Sequence, residues 1–472
     1  MEIEKKEKLF GTDGVRGVAN RDLTPELALR IGQAAACYLA GKHATREVAG
    51  SRETAGVRET GGARETARAR MIIGRDTRVS GCMLEAALAA GICSMGVDVW
   101  LAGVLPTPAV AFLTKELEAC AGIVISASHN PAPDNGIKFF SNLGFKFPDE
   151  VEEEIETLIH RGVEGERPVG SGVGRILPMK HADERYVDFL KGLAPDLQGL
   201  TVVVDCANGA AGAIAPRLLA DLGACVIPVF DSADGMSINV MCGSTHPENL
   251  AQKVLACHAD LGLAFDGDTD RVIAVDENGK IVDGDAIMLV CALSMKERQK
   301  LKGDRLVLTV MSNLGLRRAL RDNGIQIEET AVGDRYVLER LRDTGAVLGG
   351  EQSGHIIFTE HAMTGDGILS ALKLLEVVQI SKKKLSELTA CFQRYPQVIQ
   401  NAHVRDKHAL LQHPDVQAAI AEAQERLGAD GRVLVRPSGT EPMIRVMLEG
   451  PVREELETIA QMVIDRIEAA EV

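Results

Sequence analysis

The feature that most constrains this chain is the alternation of apolar, strand-like runs with helical stretches. VWLAG is followed by a helical stretch from Thr107 to Glu118 and then by GIVISAS. LTVVVDCANG leads in the same way into the helical APRLLADLG and the strand ACVIPVF. Because such βαβ alternation is typical of helices packed on mainly parallel sheets, the sequence predicts an α/β protein.

Length and composition limit the class of protein further. The chain has 472 residues, for which three or four domains are expected, and 46% hydrophobic with 25% charged residues is an ordinary globular composition. Its net charge of −15 argues against a nucleic-acid or anionic-membrane partner. An anionic ligand would therefore need a local positive cluster or a metal ion.

The N-terminus and the cysteines indicate the compartment. MEIEKKEKLF lacks the apolar core of a signal peptide, and the longest apolar runs, such as AIMLVCAL, are too short to span a membrane. The ten cysteines form no CxxC pair and are expected to be reduced thiols. A cytoplasmic protein is the expectation.

Three segments have the composition of junctions or loops. Residues 161–175 are rich in Gly, Pro and charge, and a second junction is expected near residues 380–388, after which the pattern becomes α+β. REVAGS, RETAGV, RETGGA and RETARA repeat with a period of six over residues 46–69. No apolar face recurs in this repeat, so a loop lengthened by duplication is favoured over a binding tail.

The strongest local signal is LGLAFDGDTDRVIAVD. Asp266, Asp268 and Asp270 alternate after an apolar strand, and in an extended chain alternate residues point the same way. Three carboxylates so close repel one another unless a cation neutralises them, and carboxylate oxygens suit Mg²⁺. A solvated acidic turn is the alternative, but Arg271 is well placed to hold a phosphate beside an ion.

A second signal, VLVRPSGTEPMIRVMLEG, predicts a phosphate-binding loop between two strands. Hydroxyls, glycine backbone and two forked guanidinium groups form a plausible phosphate cradle, although a plain hairpin turn is an equal alternative. The candidate residues are Arg436, Ser438, Gly439, Thr440 and Arg445.

Three weaker signals are polar or basic loops. Glu351, Ser353 and His355 lie in LGGEQSGHIIF, whose polar density suits a polyhydroxylated ligand. KLFGTDGVRG presents Arg16, and IIGRDTRVSG presents Arg75 and Arg78, all of which would add positive charge near a phosphate. Taken alone, each of the three could be a surface loop.

VISASHNPAPDNGIKFF places a serine beside a histidine, as in a nucleophile with its base. Neighbours in sequence are poor candidates for a catalytic triad, and no GxSxG elbow surrounds Ser128. A serine hydrolase would also have no need of the DGDTDR motif. The metal-type and Arg-bearing loops together favour a protein that handles a phosphorylated, hydroxyl-rich substrate.

SASHNP, DGDTDR, GEQSGH and RPSGTEPMIR resemble the signature loops of the α-D-phosphohexomutases, and they occur in that family's order over essentially the whole chain. LFGTDGVRG and AVGDRYV are similar to the branch that acts on glucosamine phosphates. The resemblance implies three α/β domains with mixed sheets and a smaller α+β domain around a central cleft. The expected boundaries are 1–160, 161–258, 259–378 with the metal and sugar loops, and 379–472.

The resemblance also implies a mechanism. Ser128 would carry the phosphoryl group and complete the Mg²⁺ shell of Asp266, Asp268 and Asp270, with Arg271 positioning the group that moves. Lys138 and His129 are candidates for proton transfer, and the choice between them stays open. The remaining roles are substrate binding, by Arg16, Glu351, Ser353, His355, Arg436, Ser438, Gly439, Thr440 and Arg445.

The implied reaction converts glucosamine 6-phosphate to glucosamine 1-phosphate through a bisphosphorylated sugar, on the route to UDP-N-acetylglucosamine. The alternatives are the same chemistry on glucose or mannose phosphate and, more remotely, a non-catalytic sugar-phosphate-binding protein. The sequence leaves the oligomeric state open, with a homodimer as one option.

Overall fold

The computed structural model describes residues 8–11, 13–50, 68–438 and 441–471, with the backbone alone for residues 40–50. The chain forms two compact units. The first comprises Met1–Thr309 and Glu328–Thr389, and the second comprises Val310–Ile327 and Ala390–Val472.

The first sheet is mixed and has the order β1-β2-β6-β5-β3-β4-β7. Its strands are β1 Phe10–Gly11, β2 Gly14–Val18, β3 Arg70–Arg75, β4 Asp98–Val104, β5 Ala121–Ile125, β6 Asp134–Ser141 and β7 Ile176–Pro178. The helices of this region are α1 Pro25–Gly50, α2 Ser80–Cys93, α3 Thr107–Glu116 and α4 Asp149–Arg161. Strand β5 is buried along its whole length, which explains its unbroken apolar sequence.

The second sheet has the order β12-β11-β10-β8-β9. Its strands are β8 Thr201–Asp205, β9 Cys225–Val229, β10 Leu261–Phe265, β11 Val272–Asp276 and β12 Ile281–Val282. The helices of this region are α5 Ala182–Lys191, α6 Ala215–Asp221 and α7 Glu248–Cys257. Strand β10 pairs in parallel with β8, so the DGDTDR motif that follows β10 belongs to the second sheet. The sequence predicted this motif in the third domain.

The third sheet has the order β14-β13-β15-β16. Its strands are β13 Arg305–Thr309, β14 Gln326–Thr330, β15 Leu348–Gly350 and β16 Ile356–Phe358. The helices of this part of the chain are α8 Gly284–Glu297, α9 Leu314–Asp322, α10 Asp334–Thr344, α11 Gly367–Ser381 and α12 Leu385–Leu388. Helix α9 lies within the second compact unit.

The second unit carries an antiparallel sheet with the order β17-β19-β18. Its strands are β17 Gln397–His403, β18 Arg432–Pro437 and β19 Met443–Glu449, and its further helices are α13 Lys407–Leu411, α14 Pro414–Leu427 and α15 Arg453–Ala470. Helices α14 and α15 cover this sheet, as expected for an α+β module. Short 3₁₀ helices lie at Gly170–Gly172, Ala210–Ala213, Gly243–Thr245, Lys302–Asp304 and Gly428–Asp430.

The hexapeptide repeat falls mostly outside the described residues. Helix α1 continues to Gly50, so the residues REVAG of the first copy are helical and not part of a loop as expected. Residues 51–67 are not described. Among the described residues, no helix combines the length and apolar character needed to cross a membrane.

Candidate active site

The serine loop, residues 126–133, connects β5 to β6 and holds Ser128 in a left-handed conformation. Ser128 has φ +52°, which is uncommon for a residue with a side chain, and it is buried. Its backbone N–H donates to Ser126 Oγ at 2.9 Å, and Ser126 Oγ donates to Asp76 Oδ2 at 2.6 Å. The strained backbone at Ser128 is therefore held by a buried hydrogen-bond chain.

Arg78 supports the same loop from the other side. Its side chain is completely buried, paired with Asp76 at 2.9 Å, and its guanidinium donates to the backbone carbonyls of Ser128, Asn130, Pro131 and Asp134. Arg78 was expected to add positive charge near a phosphate; in the structure its charge is paired with Asp76 and its donors are used on the loop itself. Arg75 is likewise occupied, by Glu85 at 3.5 Å.

The metal loop, residues 266–271, connects β10 to β11. Strand β10 ends at Phe265, so the three aspartates lie in a turn that includes Thr269 at φ +65°. The expected alternation along an extended strand is thus not what brings them together. The turn nevertheless converges the three buried carboxylates, with one ligand atom from each within 4.8 Å of the others.

The chemistry of this cluster fits a bound cation. Among the described residues, Asp268 Oδ1 and Asp270 Oδ1 are buried oxygens with no hydrogen-bond partner. Burial, together with the charges of Asp270 and Asp268, raises the pKa of Asp266 well above its usual range. A hard divalent cation would satisfy the orphaned oxygens and relieve the repulsion between the carboxylates.

The serine loop and the metal loop meet at Ser128. Its Oγ donates to Asp266 Oδ2 at 2.6 Å and lies 3.4 Å from His129 Nδ1. Thr107, the first residue of α3, donates through its backbone N–H to Asp268 O at 2.9 Å and through its hydroxyl to Asp268 Oδ2 at 2.7 Å. The first and second sheets therefore present the serine and the carboxylates as one site.

Lys138 and His129 have opposite electrostatic surroundings. Lys138 Nζ lies 3.0 Å from both Asp13 and Asp268, and these carboxylates outweigh burial and raise the pKa of Lys138. His129 is half-buried, and burial, with Arg271 and Arg16 nearby, lowers its pKa to about 4. Lys138 is thus a fixed cation, whereas the His129 imidazole is neutral at pH 7.

A chain of alternating charges leads from Lys138 to the third sheet. Asp13 also accepts from Lys146 at 2.5 Å, and Lys146 contacts Asp334 at 2.5 Å. His355 is buried, with Nε2 accepting the Gly365 N–H at 3.1 Å and Nδ1 facing Asp270 Oδ2 at 3.5 Å. His355, which the sequence predicts to bind the sugar, thus lies buried with a ring nitrogen facing a metal-loop carboxylate.

The GEQSGH loop supplies the other polar groups of this unit. Glu351 Oε1 accepts the Gly333 N–H at 3.0 Å, and Ser353 Oγ lies 3.5 Å from Glu351 Oε2; both side chains are partly exposed. Arg271 Nε lies 3.8 Å from Asp270, and Arg16 pairs with Asp13. Among the described residues, Arg16 Nε and Arg271 Nε are buried atoms with no hydrogen-bond partner, so both guanidinium groups keep a donor for a ligand.

The predicted phosphate loop lies between β18 and β19 in the second unit. Arg436 and Arg445 are directly opposite each other on these strands, and burial with the charge of Arg445 lowers the pKa of Arg436. Like charges opposite each other destabilise a sheet, and the carboxylate of Glu441 offsets part of this repulsion by pairing with Arg445 at 3.1 Å. Ser438 is buried, and Lys407 donates to its carbonyl at 2.5 Å; Gly439 and Thr440 lie outside the described residues.

Sequence reasoning missed several residues of the site. Asp13 and Asp334 lie inside the motifs LFGTDGVRG and AVGDRYV, whose polar residues could have suggested them. Thr107 and Lys146 belong to no motif, and their contacts span 161 and 133 residues of sequence. Such pairs follow only from the folded arrangement of the sheets.

Four family models match the chain in order. The model of phosphoglucomutase/phosphomannomutase alpha/beta/alpha domain I matches residues 7–52 and 53–166. The model of domain II matches residues 184–279, and that of domain III matches residues 283–395. The model of the C-terminal domain matches residues 400–466. With a serine held against buried carboxylates on this fold, the chain belongs to the phosphoglucomutase/phosphomannomutase family of phosphohexomutases.

Its similar curated relatives carry a more particular name, phosphoglucosamine mutase. The protein of Desulforamulus reducens is 53% identical over 96% of this chain and 97% of its own length, and that of Moorella thermoacetica is 54% identical over the same shares. Among solved structures, a phosphoglucomutase/phosphomannomutase family protein from Burkholderia thailandensis matches with a TM-score of 0.77. It is 25% identical, and the match covers 98% of this chain and 97% of that one.

Proposed function

We propose that this chain is a phosphoglucosamine mutase, which interconverts glucosamine 6-phosphate and glucosamine 1-phosphate through a phosphoserine and a bisphosphorylated sugar. The observation that carries the proposal is Ser128 Oγ at 2.6 Å from Asp266, in a buried cluster of three carboxylates. The substrate comes from the relatives named phosphoglucosamine mutase, which match over nearly the full chain at 53–54% identity.

Asp266, Asp268 and Asp270, together with an oxygen of phosphorylated Ser128, would hold one Mg²⁺. The orphaned oxygens of Asp268 and Asp270 support this assignment. When bound, the ion neutralises charge on the phosphoryl group during transfer. His355 and Thr107 orient the ligands, since they contact Asp270 and Asp268.

The phosphoryl transfers balance in two steps. The bond between Ser128 Oγ and phosphorus breaks as the sugar O1 of glucosamine 6-phosphate binds that phosphorus, giving glucosamine 1,6-bisphosphate. After the sugar reorients, the bond between its O6 and phosphorus breaks and Ser128 Oγ receives the group. In the first step the sugar hydroxyl gives up its proton and Ser128 Oγ gains one as it leaves phosphorus; in the second step Ser128 Oγ gives up its proton and the sugar O6 gains one.

Lys138 and His129 have different roles in these steps. Lys138 is hydrogen-bonded to Asp268 and close to Asp13, so it serves as a fixed positive charge beside the moving phosphoryl group. His129 Nδ1 faces Ser128 Oγ and has no such carboxylate partner within the described residues. We therefore assign proton transfer to His129.

Substrate binding is assigned to four polar side chains outside the three carboxylates. Arg16 and Arg271 bind phosphate, and Glu351 and Ser353 bind sugar hydroxyls. The phosphate that is not being transferred is assigned to Arg436, Ser438, Gly439, Thr440 and Arg445. The product would supply UDP-N-acetylglucosamine synthesis; the cytoplasmic location and a homodimer stay predictions from the sequence.

A substrate panel tests the proposed sugar. With Mg²⁺ present, kcat/KM for glucosamine 6-phosphate is expected to exceed that for glucose 6-phosphate and mannose 6-phosphate by about tenfold or more, because polar groups built for one substituent reject its analogue. A coupled assay of the three sugars measures this ratio. A preference for glucose or mannose phosphate would assign the chain to another branch of the family.

A further inference from the structure

Ser128 and the metal-loop carboxylates belong to different sheets, so their separation depends on contacts between the serine loop and the second sheet. The hydrogen bond from Ser128 Oγ to Asp266 is one such contact. It requires the serine O–H, which is lost when Ser128 carries a phosphoryl group. A contact that persists in both states must therefore use other atoms of the serine loop.

Asn239 makes such a contact through its side-chain amide. Nδ2 donates to the backbone carbonyl of Ser128 at 2.8 Å and to that of Asn130 at 3.0 Å, and Asn239 is buried. These are two of the carbonyls that Arg78 also binds. Neither bond involves the Ser128 hydroxyl, so both survive its phosphorylation.

Asn239 also adjoins the metal loop. A Cβ placed on Gly267 would lie 2.6 Å from Ser128 O and 3.0 Å from Asn239 Nδ2, so the three groups pack without room for a further atom. Asn239 N–H donates to Ala207 O at 2.9 Å, which anchors it to the turn after β8. Asn239 thus lies where the serine loop, the metal loop and the second sheet converge.

The backbone around Asn239 is strained in the same way as that of Ser128. Ala207, Asn208, Asn239 and Met241 have φ of +54°, +51°, +61° and +53°. Left-handed residues other than glycine cost on the order of 1–3 kcal/mol each and persist where the surroundings over-determine them. Their clustering next to Ser128 indicates that this segment is shaped for the site.

We infer that Asn239 is a positioning residue for phosphoryl transfer: its amide fixes the Ser128 backbone against the metal loop in both the phosphorylated and the free enzyme. This inference rests on the proposed phosphoserine chemistry, but not on the identity of the sugar. Because Asn239 contacts the serine loop and not the sugar, its loss should lower kcat and leave KM nearly unchanged.

Asn239→Gly removes the amide while keeping the left-handed backbone, and Asn239→Asp keeps the shape but replaces the donor by an acceptor. We expect kcat to fall by about 10- to 100-fold in Asn239→Gly, with KM within about twofold, because small misplacements of a reacting group cost rates of this size. The kcat of Asn239→Asp should fall further, since its carboxylate faces two carbonyls.

Asn20→Gly is the matched control, because Asn20 is exposed and has φ +64°. This variant should keep the wild-type kcat.

Steady-state kinetics with thermal unfolding of each variant measures these effects. A space-filling role alone predicts that Asn239→Asp retains more activity than Asn239→Gly, and that order would overturn the inference. So would a kcat within twofold of wild type in a folded Asn239 variant; if Asn239→Gly fails to fold, Asn239→Asp decides. Wild-type turnover is measured on the three sugar 6-phosphates, so a wrong sugar assignment shows in the wild type and leaves the comparison of variants intact.

Discussion

Asp266 has two roles in the site. It accepts a hydrogen bond from the Ser128 hydroxyl, and it belongs to a buried cluster of carboxylates with Asp268 and Asp270. Without a cation the cluster opposes folding, since burial and the neighbouring charges raise the pKa of Asp266. When the pKa of an Asp is raised in the folded state, the protein loses folding stability as pH rises and the carboxyl ionises. Stability and metal binding are therefore linked at this residue.

Asp266→Asn tests this link. In EDTA at pH 8 the variant is expected to unfold about 2–4 °C above the wild type, because it removes one of three repelling buried charges. In Mg²⁺ the order should reverse, since the wild type binds the ion and the variant lacks a charged ligand. Thermal unfolding of both proteins in each buffer measures the shifts. A wild-type melting temperature that is the same with and without Mg²⁺ would contradict the account.

At the residue scale, the sequence predicted which residues form the metal-type cluster better than it predicted how their side chains are arranged. The three aspartates were found as a metal-type cluster, but a turn converges them rather than strand alternation. Arg78 was expected to add positive charge near a phosphate, and the sequence did not show that its guanidinium binds the serine-loop carbonyls. Residue type indicates which chemistry a side chain can perform, whereas burial, which arises from distant parts of the chain, decides which chemistry it does perform.

At the scale of elements, one buried pair joins α5 to the start of α11. Tyr186 Oη donates to Asp366 Oδ2 at 2.7 Å, and Asp366 Oδ1 caps α11 by accepting the Leu369 N–H at 2.9 Å. Burial raises the pKa of Asp366 to about 6. The charged carboxylate therefore costs stability as pH rises from about 4 to 6, and the cost is complete at pH 7.

Asp366→Asn should remove this cost while keeping the shape of the cap. We expect the variant to be more stable than the wild type by about 1–3 kcal/mol at pH 7 and the difference to shrink toward pH 4.5. Tyr186→Phe is the matched comparison, because it removes a donor to the charged form and should cost more at pH 7 than at pH 4.5. Denaturant unfolding at both pH values measures this, and an unchanged pH dependence in Asp366→Asn would contradict it.

Elements with strong local patterns were predictable, and those defined by distant partners were not. Strands such as β5 and β8 followed from their apolar runs and the turns after them. Strand β7 is exposed along its length and extends the first sheet by pairing with β4, beyond the expected end at residue 160. A three-residue exposed strand has no pattern of its own, because its partner defines it.

At the scale of the whole molecule, the order of four motifs identified three α/β domains and an α+β domain, and the family models confirm that fold class. The convergence of two sheets on Ser128 was expected only through the family resemblance, which placed Ser128 in one metal shell with Asp266, because the two residues are 138 positions apart in the chain. Such contacts depend on how the sheets pack and leave no trace in local sequence. The central claim, that Ser128 carries the phosphoryl group, depends on this convergence.

Intact-mass measurement of the enzyme before and after a single turnover tests that claim most directly. The account predicts one phosphoryl group on Ser128, its transfer to glucosamine 6-phosphate or glucosamine 1-phosphate in Mg²⁺, and release of the bisphosphorylated sugar. Ser128→Ala should neither carry the group nor turn over substrate. Phosphate on another residue, or turnover by Ser128→Ala at the wild-type rate, would contradict the account.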